Sequence, residues 1–241
     1  CPIQTDAINQ IIQRALKKVE LAGLTPYQEK PHRGFLRHLA VRHGAATGEI
    51  LLAFVTRTEV PDERLHRSSL LPEPPEAILP RIAEELMRET PNLVGVLQNI
   101  NPARTNLVLG PTTRTLGGRA FYHEVIDGLL LKVSLQSFLQ VNSRQAEILH
   151  AVVREAIGRP ADPKRRQWGT VLDLYSGIGT LALAVSPRAD YVLGVEEVAA
   201  AVSDARENAT LNHRTNVDFV EGDVGEALLH LKGQGLDRVD A

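Results

Sequence analysis

The chain has 241 residues, of which 43% are hydrophobic and 23% charged, and its formal net charge at pH 7 is −2. These values exclude an intrinsically disordered chain, and they do not fit a strongly basic nucleic-acid-binding protein. No apolar run reaches the roughly 18 residues of a membrane span, and a single cysteine excludes an internal disulfide. We therefore expect a globular protein of the reducing cytoplasm.

Charge is unevenly distributed along the chain. Residues 1–45 have seven Lys/Arg against three Asp/Glu, residues 101–169 have ten against five, and residues 170–241 have five against twelve. A basic front and an acidic end are compatible with a polyanion that touches only the first two-thirds of the chain. An ordinary uneven surface explains the same counts equally well.

The first half of the chain predicts an α/β domain over residues 1–134. Apolar side chains at helical spacing follow Thr5, a suitable N-cap, and stop before Gly23. The strand-like runs that follow are separated by short turns, so hairpin logic predicts mostly antiparallel pairing. The predicted elements are a helix at 5–22, strands at 35–42 and 49–56, a Pro-rich loop at 71–75, a helix at 77–88, and strands at 93–98, 105–109, 119–126 and 129–134.

The second half, residues 135–241, alternates between apolar strand runs and helical patterns. Such alternation is typical of a parallel, doubly wound sheet. The predicted elements are a helix at 140–157, a connecting loop at 158–169, strands at 170–174, 191–195 and 217–220, and helices at 179–186, 198–212 and 224–232. Residues 236–241 resemble the start of a fourth strand, and the chain does not begin with Met, so we expect the complete protein to extend beyond both ends. The predicted fold is an incomplete Rossmann-like sheet preceded by an α/β domain.

The most informative stretch is residues 171–182, where a strand leads through a Gly-x-Gly turn into a helix. Gly177 and Gly179 allow the backbone to approach a ligand closely. The turn formally fits the NAD fingerprint, and Glu196 follows at about the spacing of a ribose-binding acid. Asp173 favours S-adenosylmethionine instead, because a carboxylate repels a pyrophosphate and attracts a sulfonium cation.

Three acids stand at the ends of three successive predicted strands. Asp173, Glu196 and Asp223 therefore fall in the crevice outside the carboxyl edge of the sheet, where ligands bind. Glu196 can accept hydrogen bonds from both ribose hydroxyls, and Asp223 can accept one from an adenine amino group. The alternative is that these acids are helix N-caps, for which Asp is also favoured.

Several motifs resemble the RNA uracil-5-methyltransferases. They are Ser137-Phe-Leu-Gln-Val-Asn142, Asp173-Leu-Tyr-Ser-Gly-Ile-Gly-Thr180, Gly194-Val-Glu196, Ala205-Arg-Glu-Asn-Ala209, Gly34-Phe-Leu-Arg-His-Leu39 and Thr47-Gly-Glu49. The Phe-x-Gln-Val-Asn motif is the most discriminating of these. The resemblance implies transfer of a methyl group from S-adenosylmethionine to C5 of uridine in RNA, with 23S rRNA as the expected substrate and tRNA as the alternative. It implies cofactor contacts at Gln140, Tyr175, Thr180, Glu196 and Asp223.

The same resemblance implies chemistry that this chain does not complete. Cys1 matches the last of four [4Fe–4S] ligands in the members that bear a cluster, and the other three would lie upstream. The family's reaction needs a cysteine that attacks C6 of uracil and a carboxylate base. Because no cysteine follows Cys1, we assign no catalytic residue and expect the nucleophile and base beyond residue 241. This chain alone is then inactive; its expected partner is RNA, not DNA or a membrane, and it is expected to be a monomer.

Three other functions stay open from the sequence. They are a methyltransferase for another class of substrate, an NAD-dependent oxidoreductase and a non-catalytic RNA-binding module. Candidate phosphate contacts in the first domain are Arg33, Arg37, Arg42, Arg114 and Arg119. A solvated face without a partner is the alternative for these arginines.

Overall fold

The computed structural model describes residues 4–61, 74–157, 168–233 and 239–241. These residues fall into two compact units, one within Cys1–Gly44 and Gly48–Tyr122 and the other within Ala45–Thr47 and His123–Ala241. The domain boundary predicted between residues 134 and 135 stays a prediction. Most of the predicted loops at 71–75 and 158–169 lies outside the described residues. Within those ranges, no helix combines the length and the apolar character that crossing a membrane requires.

The first unit contains a four-stranded sheet packed against two helices. Its elements are α1 Asp6–Leu21, β1 Leu36–His43, β2 Ile50–Thr56, α2 Pro75–Glu89, β3 Leu93–Ile100 and β4 Thr112–Gly118. The strands lie in the order β1-β2-β3-β4; β1 with β2 and β3 with β4 are antiparallel, and β2 with β3 is parallel. Alternate residues of β2 (Ile50, Leu52 and Phe54) pack in one core with the apolar faces of α1 and α2, as the period of two along a strand requires.

One predicted strand of this unit is wrong. Residues 105–109 belong to a loop, and the strand lies just after it, at β4. The side-chain amide of Asn99 donates to the carbonyl of Gly110 (3.0 Å), and that of Asn101 donates to the carbonyl of Leu107 (2.8 Å). Leu107 is 66% exposed, so its apolar side chain does not mark a buried strand. Two buried carboxamides thus satisfy backbone groups that strand pairing would otherwise satisfy.

The second unit contains a two-stranded sheet and a three-stranded parallel sheet. Its elements are β5 Phe121–Ile126, of which the first two residues are counted with the first unit, β6 Leu129–Ser134, α3 Ser143–Ile157, β7 Trp168–Leu174, α4 Thr180–Val185, β8 Ala189–Glu196, α5 Ala199–Leu211, β9 Val217–Glu221 and α6 Val224–Gly233. The parallel strands lie in the order β7-β8-β9, with a helix after each strand. The predicted α/β class, with a Rossmann-like second part, is therefore confirmed.

Two details of the second unit differ from or add to the prediction: the start of α3 and the pairing of the last residues. Helix α3 begins at Ser143, because the side chain of Asn142 accepts a hydrogen bond from the backbone N–H of Gln145 (3.1 Å) and caps the helix. Helix prediction from residue 140 is thus too early. At the other end, the backbone N–H of Asp240 donates to the carbonyl of Thr170 (2.8 Å), so this residue pairs with the edge of β7 that faces away from β8.

Candidate cofactor-binding site

The turn between β7 and α4 has an unusual backbone. Tyr175, Gly177 and Gly179 all have positive φ angles, of 62°, 55° and 82°. A tyrosine in this left-handed region is strained by about 1–2 kcal/mol, and such residues cluster at ligand sites. Tyr175 is 73% exposed, so its ring is available to a ligand beside the turn. The backbone N–H of Ser176 donates to the carbonyl of Val195 (3.0 Å) and ties the turn to β8.

The glycines of this region have different reasons to be glycine. A Cβ on Gly179 would lie 2.5 Å from Cζ of Phe219, so packing against β9 leaves no room for a side chain. A Cβ on Gly177 or Gly222 would have no atom within 4 Å, so each of these glycines borders open space. Both are hydrogen-bonded to Glu196, and the open space therefore flanks this residue at the carboxyl edge of the sheet. This edge is where parallel sheets bind ligands.

Asp173, near the end of β7, is half-buried beneath the turn. Its Oδ2 accepts a hydrogen bond from the backbone N–H of Ala182 (2.9 Å) and so caps α4, whose own N-cap, Gly179, has no side chain. Burial raises the pKa of the Asp173 carboxyl to about 6, and the negative charge of Glu196 acts in the same direction. Two carboxylates that repel each other in one crevice are stabilised by a cationic ligand.

Glu196 ends β8 and connects it to the glycine turn. Its Oε2 accepts from the backbone N–H of Gly177 and its Oε1 from that of Val198, both at 2.9 Å. A carboxylate offers about four acceptor positions, so about two remain for the hydroxyls of a ligand. The bond to Gly177 joins residues 19 positions apart and holds the carboxylate beside the open space.

The other predicted cofactor contacts have fewer hydrogen bonds to the glycine turn. Asp223 is exposed and caps α6, because its Oδ1 accepts from the backbone N–H of Glu226 (3.1 Å). The alternative that the acids cap helices therefore holds for one oxygen each of Asp173 and Asp223, and it leaves Oδ2 of Asp223 available. Thr180 is the first residue of α4. Gln140 is exposed in the segment between β6 and α3, and none of the contacts described joins it to the turn. Cofactor binding by the eight residues named from the sequence stays a prediction.

One residue at the turn has no role in the sequence prediction. Asn208 of α5 is fully buried, and its side-chain amide donates to the carbonyl of Ile178 (3.1 Å), between the two glycines of the turn. A sequence signal for it exists, because Asp204, Asn208 and Asn212 recur every fourth residue and so share one helix face. Polar residues on a face rich in buried alanine indicate specific partners.

Most of the candidate phosphate-binding arginines of the first unit have protein partners. Arg37 donates to the carbonyls of Asn101 (2.7 Å) and Ala103 (2.6 Å), and its guanidinium lies 4.5 Å from the ring centre of Tyr27. Arg114 donates to Gln98, and Arg119 forms an ion pair with Glu49. These three arginines therefore organise the unit and are not free for phosphate.

Three exposed cations lie on the two segments that Arg37 contacts. Lys30, Arg33 and Arg104 are exposed, and within the described part of the chain their side chains form no hydrogen bond or ion pair. They lie on the turn at 27–33 and the loop at 101–111, and Arg37 contacts the first through the Tyr27 ring and the second through the loop carbonyls. We call these three residues the basic surface.

The residues of this chain cannot hold a [4Fe–4S] cluster by themselves, and the role of Cys1 as one of four ligands stays a prediction. Such a cluster needs four thiolates, and this chain contributes one cysteine, Cys1, which lies outside the described residues. Within the described ranges, no group of three or more His, Cys, Asp or Glu side chains is arranged to hold a metal ion.

The chain matches no protein-family model. It is 33% identical over 236 residues to an uncharacterised RNA methyltransferase of Halalkalibacterium halodurans, covering 98% of this chain and 47% of that protein. A protein of Gloeobacter violaceus with the same description is 38% identical over 229 residues, or 95% of this chain and 45% of that protein. The chain thus spans about half the length of these relatives.

The fold has a counterpart of known structure. The tRNA (uracil-54, C5)-methyltransferase of Pyrococcus abyssi, solved with S-adenosyl-L-homocysteine, superposes with a TM-score of 0.68 at 23% identity. The match covers 92% of this chain and 48% of that one, and it establishes the shared fold. This chain is a homologue of bacterial RNA methyltransferases along nearly all of its own length and about half of theirs.

Proposed function

We propose that this chain is the S-adenosylmethionine-binding part of an enzyme that methylates C5 of uridine in RNA. The observation that carries the proposal is the pair Asp173 and Glu196, which lies beside a glycine turn that borders open space. The bound cofactor supplies an electrophilic methyl group on a sulfonium cation, and these carboxylates provide the matching negative charge. The names of the relatives support RNA as the substrate, and the Pyrococcus protein supports uridine C5.

For the RNA itself we propose 23S rRNA, with tRNA as the second candidate. The tRNA candidate is retained because the Pyrococcus protein is named for uracil-54 of tRNA. The motif resemblance that favours rRNA comes from the sequence. Location in the cytoplasm and a monomeric state stay predictions.

The cofactor proposal is tested by calorimetric binding of S-adenosylhomocysteine and of NAD to the 241-residue protein. We expect S-adenosylhomocysteine to bind at least about 100-fold more tightly, because the pyrophosphate of NAD would lie against Asp173 and Glu196. Comparable affinities, or tighter binding of NAD, would favour the oxidoreductase alternative.

The basic surface predicts a salt-dependent contact with RNA. Replacement of Arg104 by Glu is expected to weaken RNA binding about fivefold, and to reduce the slope of log K against log salt by about 0.7 per lost phosphate contact. Fluorescence anisotropy with a labelled 23S rRNA fragment and with tRNA measures both quantities and compares the two RNAs. Lys17→Glu, an equal charge reversal at an exposed position of α1, is the control. An identical loss for Lys17→Glu would assign the effect to net charge alone.

A further inference from the structure

One face of α5 contacts the outer edge of β6, the edge away from β5, through a row of polar side chains. We call Asp204, Asn208 and Asn212, the last being the C-cap of the helix, the polar row. Asn212 accepts from the backbone N–H of Leu130 (2.9 Å) and donates to its carbonyl (2.7 Å). Asn208 does the same for Lys132, at 2.6 and 3.2 Å. The row therefore binds alternate residues of a strand edge.

The two spacings explain why this arrangement repeats. Four residues of a helix rise about 6 Å, and two residues of a strand rise about 6.8 Å. Among the residues that the structure describes, β6 pairs with β5 on one side and no strand pairs with its outer edge, so that edge presents backbone groups that need other partners. The polar row satisfies them, and Asp204 completes it by accepting from the backbone N–H of Ser134 (2.9 Å).

The members of the row differ in what else they hold. Asn208 also donates to the carbonyl of Ile178, inside the glycine turn (3.1 Å). Asp204 accepts from the hydroxyl of Ser137 (2.7 Å), which precedes Gln140 in the chain. The additional bond of Asn212 goes to the carbonyl of Asn208, within the helix region itself. Two segments of the predicted cofactor site are thus hydrogen-bonded to α5. Asn208 is the residue that joins the glycine turn to this helix.

We propose that Asn208 is a positioning residue for the cofactor. Its amide holds the carbonyl of Ile178 toward the protein interior, and this sets the orientation of the peptide between Ile178 and Gly179. The open side of the turn then faces the ligand without rearrangement, which lowers the cost of binding. This inference rests on the proposed function, because it assigns the residue to the cofactor site described above.

Two matched variants separate positioning from stability. Asn208→Asp and Asn212→Asp each keep an oxygen that can accept from a β6 N–H, and each lose the amide donated to a β6 carbonyl. Only Asn208→Asp also removes the donor to Ile178 and sets a carboxylate against its carbonyl. The pair Asn208→Ser and Asn212→Ser repeats the comparison without introducing a buried charge.

The readouts are the dissociation constant of S-adenosylhomocysteine, measured on folded protein, and the urea midpoint of unfolding. We expect lower midpoints for all four variants, a dissociation constant raised at least tenfold for both changes at 208, and a change below twofold for both at 212. Equal dissociation constants for the 208 and 212 variants would overturn the inference. Failure of both 208 variants to fold, with both 212 variants folded, would also overturn it. A parent protein that does not bind S-adenosylhomocysteine would instead refute the proposed function.

Discussion

Replacement of Glu196 by alanine is expected to raise the dissociation constant of S-adenosylhomocysteine about 100-fold. The carboxylate has about two acceptor positions left for ribose hydroxyls, and charge-assisted hydrogen bonds contribute about 1.5–3 kcal/mol each. Losing two such hydrogen bonds, each at the lower end of this range, costs roughly 3 kcal/mol, or about two orders of magnitude in affinity. The change also leaves the backbone N–H groups of Gly177 and Val198 without this acceptor, so the turn is held to β8 by the bond from Ser176 to Val195 without the help of the carboxylate.

Calorimetry on the parent and the variant measures this loss directly. Glu197→Ala is the matched control, since Glu197 is the next residue, has the same charge and is exposed. The control should change the dissociation constant less than twofold. A Glu196→Ala protein that binds within threefold of the parent would contradict the assignment of this carboxylate to the ribose.

Replacement of Asp173 by asparagine is expected to change stability and cofactor binding in opposite directions. The asparagine oxygen can still accept from the N–H of Ala182, so the cap of α4 is retained. The pKa of Asp173 is about 6 in the folded protein, above its ordinary value of 3.8. The ionised group therefore destabilises the folded state at pH 8, and removing its charge should raise the free energy of unfolding by on the order of 1–2 kcal/mol.

Cofactor binding should become weaker in the same variant, because it lacks a negative charge beside the cation of the cofactor. We expect the dissociation constant of S-adenosylmethionine at pH 8 to rise about tenfold or more, since more than about 1.4 kcal/mol of attraction is lost. A gain in stability with a loss of affinity is typical of groups retained for function.

The pH dependence follows from the raised pKa. Protonated Asp173 contributes to the stability of the folded state, because the folded protein binds this proton more tightly than the unfolded chain. The contribution is complete below pH 3.8 and is lost as the pH rises through about 6, where the group ionises in the folded state. Asp173→Asn should remove that part of the pH profile, so its stability advantage grows between pH 4 and pH 7. In the parent protein, affinity for S-adenosylmethionine should fall as the pH decreases below 6, and in the variant it should not.

Urea unfolding and calorimetry at pH 5, 6, 7 and 8 measure both profiles, with Glu197→Gln as the control for loss of one exposed acid. A stability difference that does not grow with pH would show that the carboxyl ionises normally. Affinity of the parent that stays constant from pH 5 to pH 8 would separate Asp173 from the cationic part of the ligand.

Local patterns along the chain are sufficient for most elements of the second unit. The glycine turn after β7, the alternation of strands and helices, and the positions of Asp173 and Glu196 at strand ends all depend on spacing between near neighbours. Apolar periodicity and the φ preferences of glycine act over a few residues, so these features can be predicted without the fold. The same local signals fail at residues 105–109, where Leu107 follows a strand pattern but stays exposed.

Packing between distant segments determines the contacts that matter for the site. Asp173 caps α4 across nine residues, Glu196 holds Gly177 across 19, and Asn208 holds Ile178 across 30 and Lys132 across 76. The sequence makes Arg37 a candidate for binding phosphate. In the structure its guanidinium instead donates hydrogen bonds to carbonyls 64 and 66 residues away. A buried polar group must find a partner wherever the folded backbone presents one, and that position is not encoded in neighbouring residues.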